Sequence, residues 1–180
     1  LAAPVGVSVP TIAEWLNALE VTGQVLRVAP FYENFGKRVI KSPKIYFVDS
    51  GLACHLLGID SAAALSRSTM YGPLFEGFVA AEIAKQQVNR GRRVELYYFR
   101  DQQGLEVDFV VPRGARRLAL VEAKASRTLS PSMSRSVERL ATSIKGYATA
   151  ALVVHVGAER SAAGRALSPG VSAVTLQELL

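Results

Sequence analysis

Two short segments, Leu105–Val111 (LEVDFVV) and Leu118–Ala125 (LALVEAKA), carry acids and a lysine inside otherwise apolar, β-rich runs. Successive strand side chains point to alternate faces, so Leu118, Leu120, Glu122 and Lys124 share one face. Opposite charges at the end of an apolar face are costly unless they find partners, and Asp108 is a candidate partner. The turn-like PRGARR between the segments joins them as a hairpin. If Asp108 lies opposite Glu122, then Val110 lies opposite Leu120 and Glu106 opposite Lys124. Asp108 and Glu122 are hard oxygen donors that suit Mg2+ or Mn2+. Such an ion polarises a phosphoryl oxygen and lowers the pKa of a bound water. Lys124 would orient that water or offset charge in a phosphorane-like transition state. The same spacing also describes a half-buried ion pair between Glu122 and Lys124 with no chemistry attached.

A third acid must come from a helix. Leu74–Asn89 follows Gly72-Pro73 and has helical periodicity. At about 100° per residue, Glu76 lies with Val79, Ala80, Ile83 and Gln87, whereas Glu82 lies well round, near Phe75. An acid on an apolar stripe has a hydrogen-bond partner or faces an ionic site. Arg90, Arg92 and Arg93 close the helix with the charge its dipole favours. Val94–Phe99 then reads as a strand, and RDQQG (Arg100–Gly104) as the turn into the Asp108 strand. Three consecutive antiparallel strands therefore follow the helix.

The remaining C-terminal elements support that sheet. Ser132–Lys145 is a helix with Met133, Val137, Leu140 and Ile144 inward. Ala148–Val156 is a continuous apolar run, the pattern of a strand buried on both faces and reached by a parallel crossover. His155 has no second His or Cys at ligand spacing and reads as a satisfied core residue. Residues 157–169 read as a loop, Val171–Val174 as a short edge strand, and Thr175–Leu180 as a final helix.

At the other end, Ser8-Val9-Pro10-Thr11 opens a helix running to about Val21, with a hydroxyl cap, a first-turn proline and Gly23 as its stop. Ile12, Trp15, Leu16 and Leu19 form its expected buried stripe. Gln24–Pro30 and Lys44–Val48 read as strands flanking a basic turn with Lys37, Arg38 and Lys41. A helix followed by a two-stranded ribbon with a basic tip is the plan of the second half of a winged helix. Glu14, Asn17 and Glu20 on the helix suit packing or protein docking better than a phosphate-lined groove. Asp49-Ser50-Gly51 caps a short helix, Leu52–Leu57, and a domain boundary falls near residue 60.

The chain has 180 residues, 49% hydrophobic and 20% charged, enough for one domain or two small ones around a packed core. A net charge of +6 permits nucleic-acid binding without requiring it. The single cysteine, Cys54, excludes an internal disulfide framework and fits a reducing, cytoplasmic setting. No apolar run is long enough for a membrane span, and no secretory leader opens the chain. The start at Leu1 suggests a fragment, and no G-x-x-x-x-G-K-[ST] loop is present, so ATP is not expected to bind here.

Asp108, then Glu122-Ala123-Lys124, preceded by a helix bearing Glu76, resembles the PD-(D/E)XK nuclease core. Four strings, SPKIYFVDSGLACHLLG, YGPLFEGFVAAEIAK, YYFRDQQGLEVDFVV and VEAKAS, resemble more narrowly a family of uncharacterised domains that follow an AAA-type ATPase module in bacterial and archaeal chains. The likeness runs from about Val7 to Ser126. It implies an α/β chain: a partial winged helix over residues 1–60, then a restriction-endonuclease-like core with a mixed sheet over residues 61–180. It implies Glu76, Asp108 and Glu122 as ligands of Mg2+ or Mn2+, with Asp108, Glu122 and Lys124 catalytic in phosphodiester hydrolysis of DNA or RNA. The alternative is a catalytically inactive module that binds nucleic acid or protein for an ATPase missing from this chain.

Overall fold

The computed structural model describes residues 2–31, 42–157 and 165–180, and among these described residues it has eight strands and seven α-helices. The basic turn with Lys37, Arg38 and Lys41 lies outside the described residues. A short helix, α1 (Ala2–Val5), precedes α2 (Val9–Val21), and no sequence signal marked it. The Ser8 hydroxyl accepts the Thr11 N–H and caps α2 as its position demands. The stripe of α2 is not buried, however: Trp15 is 50% and Leu19 41% exposed, and no residue of this helix is fully covered. Periodicity reveals a sided helix and says nothing about whether a partner surface is present.

The strands β1 (Val25–Pro30) and β2 (Lys44–Phe47) pair antiparallel, as the ribbon reading expects. After β2, Asp49 accepts the Leu52 N–H and caps α3 (Ser50–Leu56); α4 (Ala62–Arg67) follows. The long helix α5 (Tyr71–Asn89) starts three residues earlier than expected, so Gly72 and Pro73 lie in its first turn, where proline costs nothing.

The core strands are β3 (Tyr97–Arg100), β4 (Glu106–Pro112) and β5 (Arg117–Lys124). After them come a 3-10 turn (Pro131–Ser134), α6 (Arg135–Ser143), β6 (Ala148–His155), β7 (Arg165–Ser168), β8 (Val171–Thr175) and α7 (Leu176–Leu179). All eight strands form one mixed sheet in the order β2-β1-β3-β4-β5-β6-β8-β7. β3, β4 and β5 are successive antiparallel neighbours, and α6 is the crossover to β6, parallel to β5. Two expectations change. β8 is an interior strand between β6 and β7, and β7 falls within the segment read as a loop. The N-terminal ribbon joins the same sheet, because β1 runs parallel to β3 through Ala29↔Tyr97 and Pro30↔Tyr98.

Helices cover the sheet on both sides. Val79, Ala80 and Ile83 of α5 pack with Tyr98, Phe109, Val111, Ala119 and Val121. Val137 and Leu140 of α6 pack on the other face with Phe99, Val107, Val110, Leu118 and Leu120. β4 and β5 are therefore buried along nearly their whole length rather than on alternate residues, as befits central strands covered on both faces.

Candidate functional site

The expected hairpin register is present: Val110 faces Leu120, with Phe109 facing Val121. On its other side β4 is irregular. Tyr97 faces Val110 but Phe99 faces Val107, so two steps of β3 span three of β4. This bulge changes which way Asp108 looks. Val107 packs in the α6-side core and Phe109 in the α5-side core, which places Asp108 and Phe109 together on the α5 side. Regular alternation would have left Asp108 on the face of Val110, shared with Leu120 and Glu122. Bulges re-aim side chains at the cost of a ladder position, and here the re-aimed residue is an acid.

What awaits Asp108 on the α5 side was not anticipated. Lys44 and Tyr46 are two apart on β2 and so share a face. Lys44 Nζ lies 2.8 Å from Glu76 Oε1, 2.7 Å from Glu106 Oε1 and 3.4 Å from Asp108 Oδ1. The Tyr46 hydroxyl donates to the same Glu76 oxygen. Gly77 lies beside the Tyr46 ring, where even a Cβ would stand in ordinary van der Waals contact at 3.4 Å. The ring of Tyr98 lies 5.5 Å from Lys44 Nζ, near enough for a cation–π contact. Glu106, expected beside Lys124, instead pairs with Lys44 and with Arg100 Nε at 3.2 Å.

Glu122 and Lys124 form the neighbouring half of the cluster. Lys124 Nζ donates to Glu122 Oε1 at 2.7 Å, and the glutamate side chain is 9% exposed. The second oxygen, Glu122 Oε2, is buried with no hydrogen-bond partner. Asp108 joins the halves: its Oδ2 accepts the backbone N–H of Ala123, the residue between Glu122 and Lys124, at 3.0 Å.

Electrostatics follow from this crowding. Burial, with Glu122 and Glu76 close by, pushes the Asp108 carboxyl up to about 7, against the pull of Lys44 and the Ala123 N–H. Burial also raises Glu122, partly offset by Lys124. For Lys44, burial disfavours the charge, but Asp108, Glu76 and Glu106 outweigh it and hold the ammonium above the ordinary lysine value. Lys124 is raised in the same way, chiefly by its bond to Glu122. Burial and Glu76 keep the Tyr46 hydroxyl protonated as a donor.

The four residues read from the sequence thus fall into two linked groups, Glu76 with Asp108 and Glu122 with Lys124. Lys44 and Tyr46 were missed as members, and Arg100, read as a turn residue within reach of phosphate, joins through Glu106. The available signal was the alternation of Lys44 and Tyr46 on a short strand, which pattern reading treats as an element and not as a reach. The donor set is hard oxygen, and the orphaned buried Glu122 oxygen is an atom that a cation would satisfy, so the residues fit Mg2+ or Mn2+ chemically. Among the described residues no three His, Cys, Asp or Glu side chains converge at metal-binding distance. His155 is buried as expected, but neither ring nitrogen has a hydrogen-bond partner; it lies beside Lys124 across the β5–β6 ladder. No helix among the described residues is long and apolar enough to cross a membrane.

Comparison with known proteins places these residues in two matched segments. Residues 71–179, which include Glu76, Asp108, Glu122 and Lys124, match the family described as a domain of unknown function, DUF4143. Residues 1–63, which include Lys44 and Tyr46, match a second domain of unknown function, DUF8612. The uncharacterized protein Mb2031c of Mycobacterium bovis is 38% identical over 137 residues, covering 76% of this chain and 30% of the relative. The uncharacterized protein Rv2008c of Mycobacterium tuberculosis matches with the same identity and coverage. The chain therefore spans under a third of the length of these curated relatives. No solved structure matches the chain significantly. With its match extending over most of the sheet and both core helices, the chain belongs to the DUF4143 family.

Proposed function

We propose that this chain hydrolyses phosphodiester bonds of DNA or RNA in a metal-dependent reaction, as a PD-(D/E)XK-like core behind a partial winged helix in the C-terminal part of an AAA-type ATPase chain. The observation that carries the reading is the buried, unpartnered Glu122 oxygen next to Lys124, with Asp108 fastened to the backbone between them. A carboxylate is expensive to bury half-satisfied, and function is a common reason for tolerating that cost. Glu76, Asp108 and Glu122 would hold Mg2+ or Mn2+. When bound, the ion supplies Lewis-acid polarisation of a phosphoryl oxygen and a water of lowered pKa. Lys124 orients that water or offsets charge on the phosphoryl oxygens, and Glu122 fixes the ammonium for this task. Burial beside other acids raises the affinity of Asp108 for a proton into the neutral range, and a bound cation would favour its ionised form.

A second reading is favoured by Lys44. The acids on the α5 side already share this chain's own ammonium, as in an inactive module that serves an ATPase by binding nucleic acid or protein. An apolar cavity of about 350 Å³ behind Glu76, lined by Phe47, Ala53, Leu57, Met70 and Phe78, would then be the more useful surface.

Cleavage decides between them. Plasmid, single-stranded DNA and RNA are incubated with the purified chain and Mg2+ or Mn2+, beside Lys124→Ala and Glu122→Gln. The expected result is metal-dependent cleavage that falls at least about 100-fold in either variant. Wild type that cleaves nothing, or variants that cleave as well as wild type, would remove the enzyme reading. Salt-dependent retention of nucleic acid without cleavage would support the second.

A further inference from the structure

Lys44 stands between two of the acids assigned to the divalent ion. Of the three acids around its Nζ, Glu76 and Asp108 are also assigned to the ion in the proposed reaction, at 2.8 and 3.4 Å from the ammonium. A nitrogen holds carboxylate oxygens at these separations, whereas Mg2+ draws its oxygens to about 2.1 Å. The acids around Lys44 are thus held at ammonium distance and not at metal distance. The lysine side chain is 21% exposed and lies against the Tyr98 ring, so the ammonium is seated inside the notch rather than waving over it. Two cations cannot share that volume at such distances without strong repulsion.

We infer that Lys44 is the resident counter-ion of this notch and sets its affinity for metal, a divalent ion reaching Glu76 and Asp108 only as the ammonium withdraws. The inference rests on the metal-dependent reading given above. Glu106 is a positioning residue in this scheme. It makes the shortest contact to Lys44, 2.7 Å, and is itself steadied by Arg100, so it anchors the ammonium without being assigned to the ion. Lys44 lies in the 1–63 match and the acids in the 71–179 match, so counter-ion and notch come from separately matched segments.

The test uses the whole 180-residue chain and Mn2+ alone, followed by calorimetric titration and thermal melting. Lys44→Met should melt below wild type without metal, bind Mn2+ on the order of tenfold or more tightly than wild type, and regain its melting temperature as Mn2+ saturates. Lys44→Arg keeps the charge and should bind Mn2+ as weakly as wild type. Glu106→Gln keeps Lys44 and every proposed ligand, and should fall between. A purely structural Lys44 would lower the melting temperature without changing Mn2+ affinity. That outcome, with wild type still binding Mn2+, overturns the role of Lys44 and leaves the metal-dependent reading standing. Absence of Mn2+ binding in wild type and all variants overturns both. Should Lys44→Met fail to fold, Glu106→Gln decides alone: tighter binding supports the inference, and unchanged binding rejects it.

Discussion

Two ammonium groups serve the same acidic cluster in this fold under different regimes. Lys44 reaches across 32 residues of sequence to Glu76 and 64 to Asp108, and also meets Glu106. Lys124 meets Glu122, two residues away on the same strand. The first is a tertiary knot in which one cation answers several acids. The second is a local pair that leaves one carboxylate oxygen unanswered. A knot of this kind ties β2 to α5 and β4 and so contributes to stability. A local pair ties nothing distant together, and its unsatisfied oxygen is what makes it chemically available.

The largest effect that would sharpen this contrast is on stability. Lys44→Met leaves several half-buried acids without their cation and should cost about 3 kcal/mol, a fall in Tm of roughly 6–12 °C. Lys124→Met should cost about 1 kcal/mol or less, because its side chain is 34% exposed and Glu122 can take up a proton instead. Urea unfolding of both variants checks the pair. Equal losses would erase the distinction between knot and local pair.

A smaller effect concerns pH. The unfolded chain releases the Asp108 proton near the ordinary aspartate value, while the folded chain holds it up to about 7. The folded state therefore carries the extra proton between those limits, and stability falls as pH rises through that window. Glu122 acts in the same direction. Lys44, raised above the ordinary lysine value, stabilises fully below that value and loses its contribution only in strong alkali, so it does not oppose the trend. Melting in the absence of metal should show Tm declining between about pH 4 and pH 7, with a flatter profile for Asp108→Asn. A wild-type Tm that rises over that interval would show that Lys44 neutralises the acids more completely than their burial penalises them.

The same contrast explains what was legible in the sequence. Local chemistry was readable: Ser8 and Asp49 cap their helices, and Val110 opposite Leu120 follows from the hairpin turn and pattern. So was the i, i+2 pairing of Glu122 with Lys124. Distant chemistry was not. Nothing in Lys44 or its neighbours states that β1 will run parallel to β3 and carry β2 to the edge beside α5. Nor does strict alternation announce the bulge in β4 that turns Asp108 away from the face of Glu122. One misplaced residue in a ladder moves a side chain to the opposite face, so site geometry is more fragile than element identity.

The smallest predicted effect comes from two helices with similar patterns and opposite fates. α5 buries Val79, Ala80 and Ile83 against the sheet, whereas α2 buries none of its apolar residues fully. Periodicity marked both, so only the presence of a covering layer separates them. The sole tryptophan, Trp15, reports on this directly, since it lies half exposed on α2. Trp15→Ser should therefore change stability by no more than about 0.5 kcal/mol. The wild-type emission should be that of a water-exposed indole, open to iodide quenching before and after unfolding. A blue-shifted, protected emission in the folded chain would mean that the stripe on α2 is covered after all, and that α2 and α5 obey the same rule with different partners.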